Sequence, residues 1–577
     1  MLELFPVDTS DFESIIKGRY IYVDKTKYIH NLVTKFSNVF LCRPRRFGKS
    51  LLIDTMDKLF SGRKELFSNL WIGSSDYSFD EFPVIRLDFS VFPNNDEGKF
   101  TSTIIKQLQN IAYKFGIQLS DNGLQFTLSD LIEQLNLKFN KKIVILIDEY
   151  DAPLIEPGTD YELINRLKNI LHNFYKVIKA LGNQIRFVFV TGITQIVRTA
   201  IGQSNSNLKD ISISEEFSSI CGFTIAEMDL YFSKYYKKLL KNLIKSNQMT
   251  PDADINDFRK TMLNWFDGYN FNLNPNNKIN VVNPVSINNF FSENILTSYW
   301  VQTGPPRYLS EQIKKNPTSF FKALSIGQAS KSCLFFKRQD LTTLDLHDPA
   351  PLPLLFQTGY LTLNKMSYEF NNELTYALKF PNIEVTYAWQ SALYQGLFTA
   401  KFMKNSKNTR TNFIKSILLN NESDFESIIS NAISSLAFNE EPSNEEEYQR
   451  VLHILFVGWD LEVFSHIPSP YGISDLEIAL DEDTHAVIEL KYLKPETGIT
   501  PEKRAKDVEN TARRALRQIV KKAYGHRGGR PAKTLIRIGL VVHECDKVRA
   551  MFSMDGSIPE KPRRPRRPKA AKTPPNT

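Results

Sequence analysis

Three stretches of this chain carry residue types at spacings that could do chemistry. The first is "CRPRRFGKS", residues 42–50, after the apolar run "NVFL" and before "LLIDTMDKLF". A glycine, a lysine and a hydroxyl between a strand and a helix can hold phosphate. Backbone N–H groups at the helix start cradle the oxygens, the lysine reaches the terminal phosphates and the hydroxyl holds a magnesium ion. Gly48, Lys49 and Ser50 supply that ending, with Phe47 and Leu51 on either side, while Arg43 stands where the pattern has its first glycine. Arg45 and Arg46 are read as added positive charge beside the anion.

The second stretch is "KKIVILIDEYD". An all-apolar run from Ile143 to Ile147 reads as a buried strand ending in Asp148 and Glu149, at the carboxyl edge where open α/β sheets bind ligands. Asp148 would hold the magnesium through its waters, and Glu149 would orient or deprotonate an attacking water. "RFVFVTGIT" reads as a further buried strand ending at Thr191 and Thr194. Thr191 is a candidate sensor of the terminal phosphate, although a strand-end threonine is more commonly a cap.

The third stretch, "SDLEIALDEDTHAVIELKY", reads as a hairpin. A three-residue turn at Asp481, Glu482 and Asp483 sets Leu480 opposite Thr484 and, counting back, Asp475 opposite Glu489. Side chains repeat every second position, so Asp475, Glu477, Glu489 and Lys491 share one face while Leu476, Ile478, Ile488 and Leu490 share the other. Opposed carboxylates destabilise a sheet, and a divalent cation would relieve them. Carboxylates that hold Mg²⁺, with a lysine to meet charge developing on phosphorus, suit phosphodiester cleavage. The bland alternative is a solvated hairpin.

These stretches need particular elements around them. Between Asn38 and Thr194, strand-like runs alternate with helical patterns, the signature of a mainly parallel sheet covered on both faces. Residues 222–385 turn mostly helical with more Asn, Pro and aromatic residues and read as a helical lid and accessory module; 386–445 read as a helical linker. From Glu446 the order is αββαβ, with a basic helix over "PEKRAKDVENTARRALRQIVKKAYG". The tail, 557–577, is Pro- and Arg-rich and cannot bury enough surface to fold alone. It reads as a basic disordered arm.

Several motifs in a fixed order, among them "YIYVDKTKYIHNLV", "FLCRPRRFGKSLL", "LIDEYDAPL", "VTGIT", "WFDGYNF", "NPVSI", "YWVQTG" and "LLFQTGYLTL", resemble the AAA-ATPase-like family commonly fused to a PD-(D/E)XK nuclease-like domain. In that family "RPRRFGKS" is the usual form of the loop. The resemblance implies an α/β fold: an AAA-like P-loop ATPase core of the additional-strand type over 1–221, with "RFVFVTGIT" between the loop strand and the carboxylate strand. It implies ATP and Mg²⁺ as cofactors, Ser50 and Asp148 being the magnesium ligands. Asp151 belongs to the same motif with no assigned role. Several members carry Gly-Leu-Asn-Asn after the sensor strand, where residues 203–208 here read "QSNSNL".

The Asp…Glu-x-Lys pattern resembles the PD-(D/E)XK superfamily, with Ser474 in place of its proline, which implies a restriction-endonuclease-like domain over 446–556 and Asp475, Glu489 and Lys491 as catalytic residues. The preceding helix would add an acid to the metal site, Glu446 or Glu447, and Gln518 resembles a residue that some branches direct inward. The reading is an ATP-dependent protein whose nucleotide state gates Mg²⁺-dependent cleavage of nucleic acid, DNA before RNA. The alternative is a nucleotide-dependent switch that binds nucleic acid or a protein without cutting.

Composition narrows the rest. The 577 residues are 42% hydrophobic and 24% charged, ordinary for a multidomain globular chain. With 72 Lys and Arg against 64 Asp and Glu, the net charge of +8 suits a polyanionic partner without requiring one. Four scattered cysteines give no disulfide framework and no zinc cluster, consistent with a reducing cytoplasm. The acidic N-terminus and the lack of a long apolar run predict neither secretion nor a membrane span, and a homo-oligomer is left open.

Overall fold

The computed structural model describes the chain apart from residues 1–2, 158–159, 196–207, 275–278, 301–306, 324–334, 343, 369–373, 438–441, 470–471, 482, 523–532 and 555–577. The basic tail and most of "QSNSNL" therefore lie outside the described residues. The chain divides into two compact units, Met1–Gly396 and Leu397–Thr577.

The first unit is organised by five parallel strands: β1 (Asn38–Cys42), β2 (Val84–Asp88), β3 (Ile143–Asp148), β4 (Ile185–Gly192) and β5 (Lys209–Asp210), in the order β2-β3-β4-β1-β5. β4 thus lies between β1, which feeds the phosphate loop, and β3, which ends in the carboxylates. Every side chain of β3 is buried, as its unbroken apolar run requires in a sheet covered on both faces. The helix Lys49–Phe60 starts directly from the loop, with Leu52, Ile53, Met56, Leu59 and Phe60 in the core. Their spacing is that of one helical face.

Beyond the sheet, β6 (Phe223–Thr224), β7 (Tyr269–Asn270) and β8 (Asn280–Val282) form a small sheet in the order β6-β8-β7. The helices Ile225–Lys245, Ile255–Phe266 and Pro284–Glu293 pack with Ile21 and Val23 into a common apolar cluster. Thr224 and Glu227 close a capping box that fixes where the first of these helices begins. β9 (Phe335–Lys337), β10 (Thr362–Tyr368) and β11 (Leu374–Lys379) make a second three-stranded sheet in the order β10-β11-β9.

In the second unit five strands stand in sequence order: β12 (Glu462–Ser469), β13 (Gly472–Ala479), β14 (Thr484–Leu493), β15 (Thr534–His543) and β16 (Lys547–Ser553). The helix Glu445–Gly458 precedes them, and Pro501–Lys521 joins β14 to β15, a parallel pair that needs such a crossover. The observed order is αβββαββ, so β12 and β16 extend the expected αββαβ at both edges. The hairpin register is as derived: Leu476 pairs with Ile488, Glu477 with Val487 and Ile478 with Ala486.

The charged face of that hairpin, however, is not a solvent face. Val487 packs with Val508, Ala512, Leu516 and Ile519 of the crossover helix, so the strands are covered on this side too. Among the described residues, no helix is long and apolar enough to cross a membrane.

Candidate functional site

In the first unit, Gly48 holds φ at 90° at the start of the helix Lys49–Phe60, a conformation open to glycine and strained for other residues. A Cβ there would meet nothing within 4 Å, so the backbone faces open space at the helix N-terminus. That space is a cavity of about 230 Å³ lined by Arg46, Phe47, Gly48, Lys49, Ser50 and Leu51 on one side. Glu149, Lys25, Tyr22 and Phe223 are among the residues that complete it.

Lys49 is buried, with its ammonium 3.2 Å from Glu149 and donating to the carbonyls of Arg43 at 3.1 Å and Pro44 at 3.3 Å. Burial works against its charge, but Glu149, Asp148 and Asp151 outweigh it and hold the ammonium above its ordinary pKa. Burial raises Glu149 itself, against the pull of Lys49. Glu149 also has φ of 47°, a left-handed backbone for a non-glycine residue, as found where function fixes a side chain.

Thr191 Oγ1 donates to Asp148 Oδ1 at 2.6 Å, so the candidate sensor acts on the carboxylate of the adjoining strand end. Asp151 accepts from the Ile193 and Thr194 amides and from Thr194 Oγ1 at 2.7 Å, tying the end of β3 to the end of β4. This is the role its motif position left unassigned. Burial raises its pKa, with those hydrogen bonds opposing.

The arginines divide. Arg43, 1% exposed, donates to the carbonyls of Cys42, Ser212, Phe217 and Ser218 and lies 4.1 Å over the Phe271 ring. It bolts the loop to the fold and faces away from any anion. Arg46 borders the cavity and also donates to the Tyr299 carbonyl. Arg45, expected beside the ligand, does not line the cavity; its carbonyl accepts from Asn283. Phe47 is held edge-on between Tyr269 and Phe271. Gly359 of "LLFQTGYL" lies so close to Pro44 that a Cβ would stand 2.5 Å from that ring, and Gln357 accepts from the Gln195 amide. These contacts brace the loop and the end of β4.

In the second unit, Lys491 gathers the acids. Its ammonium lies 2.9 Å from Glu489, 3.0 Å from Glu445 and 4.0 Å from Asp475. Asp475 Oδ2 accepts the Leu490 amide, and Gln449 donates to the Asp475 carbonyl. Glu489 is 1% exposed, and its Oε2 has no hydrogen-bond partner among the described residues. Burial, with Asp475 nearby, pushes its pKa up to about 7 despite Lys491. A buried carboxylate oxygen left unbonded costs about 1–3 kcal/mol, which a proton or a further positive partner would offset. Among the described residues no group of three or more His, Cys, Asp and Glu side chains is placed to hold a metal ion, and here Lys491 stands among the acids.

Residues 6–202 match the family model described as predicted AAA-ATPase. The N-terminal unit therefore carries an AAA-ATPase-like domain, which supports nucleotide binding and hydrolysis. The chain is also 28% identical over 390 residues to an uncharacterized protein in the vnfD 5' region of Azotobacter chroococcum mcd 1, covering 67% of this chain and 69% of that protein.

Of the expected residues in the AAA-ATPase-like domain, Gly48, Lys49, Ser50, Leu51, Phe47, Arg46 and Glu149 border one cavity, and Asp148 and Thr191 lie behind it. Gly48, Lys49, Ser50 and Asp148 fit a magnesium-bound triphosphate by donor type and by the open space at the helix N-terminus. In the second unit, Asp475, Glu489 and Lys491 come together as expected, whereas Glu446 does not join them. Glu446 pairs with Arg450 one turn on, and Glu447 turns back to the Ser443 amide. The helix acid is Glu445.

A signal for Glu445 was present: Tyr448, Gln449 and Leu452 are the buried stripe, and Glu445 precedes them at the three- and four-residue spacing. Glu477 also departs from the group. It is fully buried and meets His485 at 3.0 Å, a partner that period-2 alternation across the turn places on the same face. Gln518 is half-buried on the crossover helix, and its side chain makes no hydrogen bond to the acid group.

Proposed function

We propose that the chain is a nucleotide-gated, Mg²⁺-dependent nuclease. The N-terminal domain binds and hydrolyses ATP, and the second unit, read as a restriction-endonuclease-like fold, cuts phosphodiester bonds in nucleic acid, with DNA the first candidate. The observation that carries the cleavage reading is Glu489, a buried carboxyl with an unbonded oxygen, raised to about 7 and grouped with Asp475, Glu445 and Lys491.

At the first site the amides at Gly48, Lys49 and Ser50 cradle phosphate, and Lys49 leaves Glu149 and the loop carbonyls to reach the terminal phosphates. Ser50 and Asp148 would hold magnesium, which supplies charge neutralisation of the phosphates. Glu149, released from Lys49, takes up the attacking water. Burial, which raises the pKa of Glu149, makes it a better proton acceptor than a solvated carboxylate. At the second site Asp475 and Glu489 would hold the metal, with Glu445 adjoining, and a metal held there would supply activation of a water. Lys491, displaced from the carboxylates, meets charge developing on phosphorus.

The test is purified full chain assayed for phosphate release from ATP and for cleavage of single-stranded, duplex and branched DNA and RNA, with and without ATP and Mg²⁺. Lys49→Ala should remove ATP hydrolysis, and Glu489→Ala should remove cleavage. Cleavage that persists in Glu489→Ala defeats the assignment. One observation favours the second reading, a nucleotide-dependent switch that binds without cutting. Lys491 already neutralises the acids, and nucleotide binding with no cleavage of any substrate would establish that reading.

A further inference from the structure

The second unit has another concave feature, remote in sequence from the hairpin. A cavity of about 530 Å³ is lined by Ser406, Lys407, Arg410, Thr411, Ile414 and Lys415 from the helix Ser406–Leu418, together with Gly458, Trp459 and Asp460. Lys407, Arg410, Thr411, Ile414 and Lys415 recur at the three- and four-residue spacing of one helical face. The opposite face, Phe413 and Ile417, is buried, and Phe413 lies 5.0 Å from Phe456 and 5.1 Å from Trp459. The basic face is therefore held outward by a packed apolar one and cannot roll away.

Its charge is one-sided. From Leu397 to Asn421 the chain has five basic residues, Lys401, Lys404, Lys407, Arg410 and Lys415, and no Asp or Glu. Asp460 is the one acidic side chain in the cavity wall, against three cations. Arg410 donates to the Asp460 carbonyl at 3.3 Å, and none of the three cations is ion-paired to a carboxylate among the described residues. The Ser406 hydroxyl adds a donor suited to phosphate oxygens, while that of Thr411 donates to the Lys407 carbonyl at 3.0 Å. The indole N–H of Trp459, buried in the wall, has no acceptor among the described residues.

The geometry also sets a spacing. Gly458 ends the helix that begins at Glu445, the acid beside Lys491. Along that axis the basic cavity lies about 20 Å from the acid group at 1.5 Å per residue. At 3.4 Å per base along one strand, that is roughly six nucleotides.

We propose that this cavity binds the phosphate backbone of nucleic acid and anchors the strand about six nucleotides from the Asp475, Glu489 and Lys491 group. The inference rests on the nucleic-acid reading above but not on cleavage, so binding is measured without metal.

Full-length protein in EDTA is titrated against a labelled DNA duplex of about three helical turns over about 50 to 200 mM salt. The K407Q/R410Q/K415Q variant should bind at least about tenfold more weakly, and its log–log salt slope should fall by about 2 or 3. A control variant, K237Q/K238Q/K241Q, removes the same charge from the exposed side of the helix Ile225–Lys245 and should keep the parent slope. Unchanged affinity and slope in a K407Q/R410Q/K415Q protein with a normal thermal midpoint overturn the proposal. An equal loss in the control also overturns it, since net charge alone would then explain binding. Loss confined to the first variant in a protein that never cuts DNA leaves this inference standing and removes only the cleavage reading.

Discussion

Both units place a lysine against a glutamate, Glu149 half-buried just past the end of β3 and Glu489 buried within β14, but they hold these pairs differently. Lys49 and Glu149 adjoin an open cavity beside a glycine with no neighbour where its Cβ would be. Lys491 sits inside its acid group and closes it. The first pair can separate into space already present. The second can open only if another positive charge replaces the ammonium. Ligand entry at the first site is therefore a change of partners, while at the second it is a competition between cations.

The comparison breaks most visibly in activity. Lys49→Ala should lower ATP turnover by about 10²–10³-fold, read as phosphate release, because charge stabilisation of the transferred group is lost. Glu489→Ala should lower Mg²⁺-dependent cleavage by about two orders of magnitude or more while sparing ATP turnover.

Stability should separate the two lysines next. Lys491→Met leaves Glu489 buried beside no cation and should destabilise the second unit by about 1–3 kcal/mol in denaturant titration at neutral pH. Lys49→Met leaves Glu149 at the cavity, where water can solvate it, and should cost less than Lys491→Met. Equal losses would show that the second pair is no more closed than the first.

The pH dependence sharpens the contrast. Glu489 is raised from 4.5 to about 7, so the folded state holds its proton more tightly than the unfolded chain does. Its contribution to stability is present below the unfolded value, is lost as pH rises through the folded one, and is flat above it. Glu489→Gln should flatten that fall in a series of thermal midpoints across this range. Because a metal binds the ionised carboxyl, Mg²⁺ should raise the midpoint more above about pH 7.5 than below about pH 5.5. The smallest effect distinguishes neighbours: Glu445→Gln should weaken Mg²⁺ response or cleavage about tenfold. Glu446→Gln, at an exposed glutamate that pairs with a largely covered Arg450, should change stability by less than about 1 kcal/mol and cleavage not at all.

What could be read in advance followed from local rules. The apolar run Ile143–Ile147 announced a strand covered on both faces, and the three-residue turn after Leu480 fixed the hairpin register, because both depend on neighbours in sequence. Glu445 was missed because choosing among Glu445, Glu446 and Glu447 requires the helix phase, which its buried stripe sets. The burial of Glu477 was missed because alternation identifies a face but not what covers it, and here a helix more than twenty residues on in sequence does so. The edge strands β12 and β16 offer no carboxylate pattern to notice. Arg45 looked like part of an anion site by charge alone, and it does not line the cavity.

Arg43 has a kinetic consequence. A glycine at the entrance of a phosphate loop leaves the backbone more conformations to visit before nucleotide arrives. Here four carbonyls and the face of Phe271 grip one side chain, so the loop is shaped before any ligand comes. Association should then be paced by how often Lys49 lets go of Glu149, with loop rearrangement contributing little. Nucleotide on-rates should rise when that ion pair is weakened and fall when Arg43 is loosened.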